Sequence, residues 1–321
     1  MTRPSVLVIG PYPPGDIEQL EAHYNVHRYW EATDKAAFLA LHAPSIRAIA
    51  SRGDLAVPGD MIAALPKLEI IGIYGVGTDG VDLAAARARS IKVSNTPDVL
   101  TGETADVALA LMLAHARQVP KGDAYVRSGT WAEKGNMPLA TRLHGKRVGI
   151  IGLGRIGKAV ARRCAGFDMR IAYYGRATQV DQPYTHFSSL TDLAADSDYL
   201  VATLAGGAAT AKLITADVLR ALGPKGVFIN IARGSVIDQA ALVAALQAKS
   251  IAAAFLDVTT PEPLPADDPL WALDNAHITM HLSGRAQDKM FVRAAERFVE
   301  NLARYRAGEP VEPQVNLSIG Y

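Results

Sequence analysis

The sequence has one cysteine, almost no net charge and no apolar run long enough to cross a membrane. Cys164 stands alone, so no intrachain disulfide can form, and a reducing cytoplasm is the expected setting. Lys and Arg number 33 against 32 Asp and Glu, leaving a net charge of +1. That balance excludes an electrostatic binder of nucleic acid or of an anionic membrane. The longest apolar stretch, "VALALMLA" from Val107 to Ala114, falls well short of a span. At the amino end, the apolar run in "MTRPSVLVIGPYPPGD" stops at Gly10, too soon for a signal peptide. Repeats, low-complexity tracts and a metal-ligand set are likewise missing. The remainder is 49% hydrophobic and 20% charged over 321 residues, an ordinary soluble composition with room for two domains.

Short β-branched runs alternate with helical patterns along the chain, as parallel α/β sheets require. Strands are predicted at "SVLVI", "NVHRY", "IRAIAS", "LEIIGI" and "IKVSN", with helices near 17–23, 35–41, 59–65 and 83–89. The stretch "TGETADVALALMLAHARQV" reads as a long helix, with Thr101 as N-cap and Glu103 in its first turn. It is apolar on nearly all sides, which predicts burial between two bodies. Residues 120–143 show little periodicity and read as irregular. A second series follows, with strands at "RVGIIG", "RIAYY", "YLVATL", "GVFINI", "IAAAFLDV" and "HITMH". The final segment, "MFVRAAERFVENLARYRAG", is amphipathic and is expected to return to the amino-terminal domain.

In "KRVGIIGLGRIGKAVARR", Gly152, Gly154 and Gly157 have G-x-G-x-x-G spacing between an apolar strand and an amphipathic helix. That context makes the pattern a dinucleotide fingerprint. Gly152 permits the tight turn, Gly154 lets backbone approach a pyrophosphate, and Gly157 allows close helix–strand packing. With Leu153, the N–H groups near Arg155 and Ile156 would hold the phosphates. An acid for the adenosine ribose is expected roughly 20 residues on. "YYGRAT" instead offers Gly175, Arg176 and Thr178. Without the acid nothing repels a 2′-phosphate, and Arg176 supplies a positive fork suited to one, with Thr178 as a hydroxyl donor. The competing reading is a solvated surface arginine.

Three polar groups follow later strands: Arg233 after "GVFINIA", Glu262 after "AAAFLDVTTP", and His281 closing "HITMH". Open α/β sheets bind ligands at that edge. Arg233 would bind a carboxylate and polarise its neighbouring carbonyl, His281 would donate a proton, and Glu262 would hold the imidazole. His277 shares the strand but stands at its start, on the wrong edge.

Over nearly its full length the chain resembles the D-isomer-specific 2-hydroxyacid dehydrogenases. The resemblance is carried by "YGVGTDGVDL", "NTPDVLTGETADVALALMLAHAR", the glycine turn, "NIARGSVIDQAALVAAL", "LDVTTPEPLP" and "HLSGR". "VHRYWEATDKAAFL" and "VRSGTWAEKG" look most like its glyoxylate/hydroxypyruvate and hydroxyphenylpyruvate reductases. It implies an α/β fold of two Rossmann-like or flavodoxin-like parallel-sheet domains with a cleft between them. Residues 1–98 and 287–321 would bind substrate, and 99–286 would bind the dinucleotide. It also implies a homodimer with an arm over about 118–143.

The resemblance makes Arg233, Glu262 and His281 the catalytic residues and Asp257 the group that orients the nicotinamide carboxamide. Leu204, Thr210, Ile231, Ala232 and Ser283 would also contact the cofactor. Val76 and Gly77 would hold the substrate carboxylate through their amides, while Arg52, Gly53, Tyr74 and the partner's Met137 would shape the side-chain pocket. Three positions depart from the pattern. "TLAGGAAT" lacks a usual proline, Thr259 replaces an aromatic, and Arg285 stands where a small hydroxyl residue is usual. The expected activity is NADPH-preferring reduction of glyoxylate and hydroxypyruvate, with NADH as a weaker cofactor. The rivals are an aryl 2-keto acid reductase and a dinucleotide-sensing scaffold without turnover.

Overall fold

A computed structural model describes residues 3–12, 14–53, 55–284 and 290–318. The chain divides into two compact units, Met1–Leu100 with Ala286–Tyr321, and Thr101–Arg285. Each unit is built on one parallel sheet.

The first unit contains β1 (Ser5–Val8), α1 (Pro14–His23), β2 (Asn25–Arg28), α2 (Lys35–His42) and β3 (Ile46–Arg52). It continues with α3 (Gly59–Ala64), β4 (Ile70–Tyr74), α4 (Leu83–Ala88) and β5 (Lys92–Ser94). Its strand order is β2-β1-β3-β4-β5, the flavodoxin-like winding. Ile46, Ile49, Ile70 and Ile71 are completely buried, because helices cover both faces of the sheet. Each such side chain contributes about 1.5–3 kcal/mol relative to exposure.

The second unit opens with α5 (Thr101–Arg117), α6 (Val119–Arg127) and α7 (Thr130–Lys134). Then come β6 (Arg147–Ile151), α8 (Arg155–Ala165), β7 (Arg170–Tyr174), β8 (Thr185–Phe187), α9 (Leu190–Ala195) and β9 (Tyr199–Ala202). The unit ends with α10 (Ala216–Leu222), β10 (Val227–Asn230), α11 (Gln239–Gln247), β11 (Ala253–Leu256) and β12 (Ala276–Ile278). Its sheet runs β12-β11-β10-β9-β6-β7-β8, a doubly wound order that reverses between β6 and β9. Neighbouring residues feed opposite cores: Ile150 and Ile229 face α5 and α8, while Ile151 and Phe228 face α9 to α11. The last helix, α12 (Met290–Arg306), belongs to the first unit, where Phe298 occupies the space a Cβ at Gly72 of β4 would need.

Five sequence expectations need correction. Thr101 is the first helical residue of α5, not its cap. Asp106 and Ala110 leave α5 one exposed side, so within this chain the helix is not buried all round; alanines, small on either face, hid this. Residues 120–143 are not all irregular, since α6 and α7 occupy much of the stretch. Neither helix buries a residue, and Pro120 lies in the first turn of α6, where proline is tolerated. β8 was not expected: three residues at a sheet edge are too few to alternate visibly. Finally, β12 stops at Ile278, so His281 stands beyond the strand rather than closing it.

Candidate active site

The glycine turn joins β6 to α8 at the reversal of strand order, where open sheets bind their ligands. Gly152 has φ +94°, and its missing Cβ leaves room for Leu204 after β9. A Cβ at Gly157 would overlap the Gly152 carbonyl oxygen, so only glycine lets α8 approach this closely. Thr203 fixes the same carbonyl through its hydroxyl at 2.6 Å. Gly154 caps α8 without a side-chain hydrogen bond and has open space where a Cβ would be. Gly154 thus offers no capping side chain to the first turn of α8, a cradle that fits a pyrophosphate.

Beyond β7, the Gly175 carbonyl, exposed Arg176 and Thr178 form a short turn. The Thr178 hydroxyl lies 3.0 Å from His186 Nδ1, and Gly175 O lies 3.1 Å from His186 Nε2. Thr210 is turned inward on its own loop, its hydroxyl donating to Ala205 O at 2.8 Å.

At the other side of the sheet the catalytic candidates converge. Asn230, fully buried at the end of β10, accepts from the Ala232 N–H at 3.0 Å and donates to Arg233 O at 2.9 Å. This brace sets the loop of Ile231, Ala232 and Arg233, and Arg233 Nη1 donates to Ala232 O at 2.7 Å. Gly234 lies so close to the Thr259 carbonyl that any Cβ would overlap it. The Thr259 amide in turn donates to Glu262 Oε1 at 2.9 Å, and its hydroxyl to Pro261 O. The second Glu262 oxygen lies 2.9 Å from His281 Nδ1.

Burial alone pushes the Glu262 carboxyl up. Hydrogen bonds from His281 and the Thr259 amide, with the nearby charges of His281 and Arg233, outweigh that and hold it below the usual range.

His281 adopts φ +59°, a left-handed conformation uncommon outside glycine. Asp257 compensates. Its carbonyl takes the His281 N–H at 2.9 Å, and its carboxylate takes the N–H groups of Leu282 at 2.8 Å and Ser283 at 3.0 Å. The Thr279 hydroxyl adds a fourth donor at 2.6 Å. Asp257 is completely buried, so its direct partner is this loop. Ser283 is buried as well and accepts from Thr104 of α5.

Of the expected substrate residues, Arg52 and Tyr74 close β3 and β4 in the first unit and Gly53, Val76 and Gly77 follow them, whereas Met137 belongs to the second unit, beyond α7. Gly75, at φ +132°, donates its N–H to the Thr96 hydroxyl oxygen and accepts from Thr96 at its carbonyl, and Asn95 donates to Val76 O at 2.8 Å. Gly53 has no room for a Cβ beside Gly77 O. Among the described residues, the Val76 and Gly77 amides donate to no backbone carbonyl outside regular elements. Arg52 donates to Pro11 O at 3.1 Å, and the Tyr74 hydroxyl donates to Asp16 at 2.6 Å. Tyr12 meets the Tyr74 ring edge-on, with centroids 4.9 Å apart. Arg285 lies outside the described residues.

Sequence reasoning missed Asn230, Asp16, Tyr12 and His186. Their roles are set by partners distant in the chain; for Asn230 alone, a polar residue closing an apolar strand is a usable signal.

The family described as "D-isomer specific 2-hydroxyacid dehydrogenase, NAD binding domain" matches residues 109–283. The chain is 40% identical to a hydroxyphenylpyruvate reductase from Plectranthus scutellarioides over 95% of its own length and 97% of the relative's. A 2-hydroxyacid dehydrogenase structure from Ketogulonicigenium vulgare superposes with a TM-score of 0.91 at 45% identity, covering 98% of this chain and 99% of the other. An NADPH-dependent glyoxylate/hydroxypyruvate reductase from Sinorhizobium meliloti, solved with NADP and malonate, gives a TM-score of 0.91 at 38% identity and 98% coverage of both chains. With the glycine turn at the sheet's reversal and these full-length relatives, the chain belongs to the D-isomer-specific 2-hydroxyacid dehydrogenases and is an NAD(P)-dependent oxidoreductase.

Proposed function

We propose that this chain is an NADPH-preferring reductase of small 2-keto acids, glyoxylate and hydroxypyruvate first, yielding the D-2-hydroxy acid. The observation that carries the reading is the Glu262–His281 hydrogen bond, on the same sheet edge as the glycine turn. A bound nicotinamide supplies the hydride. His281 gives a proton from Nε2 to the carbonyl oxygen, which becomes the hydroxyl of the product. Its Nδ1–H remains hydrogen-bonded to Glu262, which holds the ring in place. Arg233 binds the carboxylate and polarises the carbonyl. The Val76 and Gly77 amides take the carboxylate as well, and Arg52, Gly53 and Tyr74 select the side chain. Asp257 acts on the nicotinamide end through the loop it holds.

The missing ribose acid and Arg176 support NADPH over NADH. Exposed Val119, Val126, Trp131 and Leu139 support a homodimer through residues 118–143. No helix among the described residues is long and apolar enough to cross a membrane. A cytoplasmic site suits the lone buried cysteine.

A second reading, an aryl 2-keto acid reductase, is favoured by the Tyr12–Tyr74 pair, which offers an aromatic wall. Initial rates with NADPH and NADH against glyoxylate, hydroxypyruvate, pyruvate and hydroxyphenylpyruvate decide. The first reading requires the highest kcat/KM with hydroxypyruvate or glyoxylate. A clear lead for hydroxyphenylpyruvate installs the second, and no turnover with any of the four leaves a scaffold.

A further inference from the structure

His186 belongs to none of the motifs above. It lies on β8, the edge strand, opposite Tyr173 in register and tilted against its ring at 5.1 Å between centroids. Both of its ring nitrogens are engaged, Nε2 with Gly175 O at 3.1 Å and Nδ1 with Thr178 Oγ1 at 3.0 Å. A carbonyl oxygen can only accept, so Nε2 carries the proton. In the neutral ring Nδ1 is then bare and accepts from the Thr178 hydroxyl. The geometry thus fixes both the tautomer and the direction of the Thr178 proton, which points to the ring.

Arg176 lies between these two anchors. Just beyond them the chain is pinned again: the Gln179 N–H donates to the Tyr173 hydroxyl at 2.7 Å, and Gln179 Nε2 donates to Leu153 O of the glycine turn at 2.8 Å.

We propose that His186 is a positioning residue for cofactor selection. By bridging Gly175 and Thr178 it closes the turn that carries Arg176 and pre-orders that backbone for a 2′-phosphate. The inference rests on the NADPH reading above. Ordering a loop on binding weakens affinity, and a loop already ordered avoids that cost. NADH has no 2′-phosphate for Arg176 to meet, so its binding gains little from the bracket. Anion recognition falls to Arg176, and Thr178 acts through His186.

The test is initial-rate kinetics of the full chain with each cofactor for wild type, His186→Ala, His186→Gln, Thr178→Val and the Ala/Val double variant. His186→Ala should raise KM for NADPH about tenfold, equivalent to roughly 1.4 kcal/mol, with kcat unchanged. KM for NADH should move by less than about twofold. Glutamine, with one donor and one acceptor, should restore most of the NADPH affinity. The double variant should be no worse than either single one, because both break the same bracket. Equal rises in the two KM values, a loss of kcat alone, no rescue by glutamine, or additive losses would each overturn the inference. Should His186→Ala fail to fold, Thr178→Val reads the bracket from its other side. A wild type without NADPH preference overturns the cofactor reading itself; a preference undiminished by His186→Ala overturns only this inference.

Discussion

His281 Nδ1 lies 2.9 Å from Glu262 Oε2, on a residue whose left-handed backbone is held by Asp257. Glu262 is held below its ordinary range, so the pairing is complete above that range and is lost only as pH falls through the lowered value. Reduction should therefore decline on the acid side as Glu262 is protonated. Glu262→Gln cannot titrate there, so its kcat/KM profile should lack that acid limb, and an acid limb that persists unchanged in the variant excludes the pairing. His281→Ala should nearly abolish turnover while leaving cofactor binding intact.

Arg233 stands on a loop fixed by Asn230 and by the close approach of Gly234 to Thr259. Arg233→Ala should lower kcat/KM for glyoxylate by roughly 10²–10³, the scale of losing a charge-stabilising donor. Cofactor binding, followed by nicotinamide fluorescence, should survive. Near-wild-type turnover would remove Arg233 from the mechanism.

Arg176 has a selective role under the NADPH reading. Arg176→Ala should weaken NADPH far more than NADH in matched KM measurements. Equal losses would return Arg176 to the status of a solvated surface residue.

Asp16 is almost completely buried and receives the Tyr74 hydroxyl at 2.6 Å. Burial raises its carboxyl above the ordinary value, and the Tyr74 hydrogen bond only partly offsets this. A raised carboxyl favours the fold below its unfolded value, and that stability is lost as pH rises through the folded value. Asp16→Asn keeps an acceptor for Tyr74 without the charge. Its urea midpoint should therefore fall less than the wild type's as pH is raised from acid to neutral. Parallel curves would mean that Asp16 is not a buried charge.

The β-strand cores and the glycine turn were legible because continuous apolar runs end in residues of distinct chemistry. Arg233, Glu262 and His281 could be ordered from the same signal. The conformation of His281 could not, since it depends on one aspartate collecting the N–H groups of three consecutive residues 24 to 26 positions away. β8 was hidden by its brevity, and with it His186, whose two partners are defined only once β8 is paired with β7. α6 and α7 were hidden because both are short and neither starts on a capping side chain.

In the second sheet, the turn bearing Arg176 and its brace follow β7 and sit on β8, at one margin. Arg233, Glu262 and His281 follow β10, β11 and β12, at the opposite margin, with β6 and β9 between. Under the proposed function, the choice of electron donor therefore rests on one margin of a single sheet and the reacting groups on the other, so a change of cofactor in one marginal strand leaves the local contacts of the reacting groups as they are.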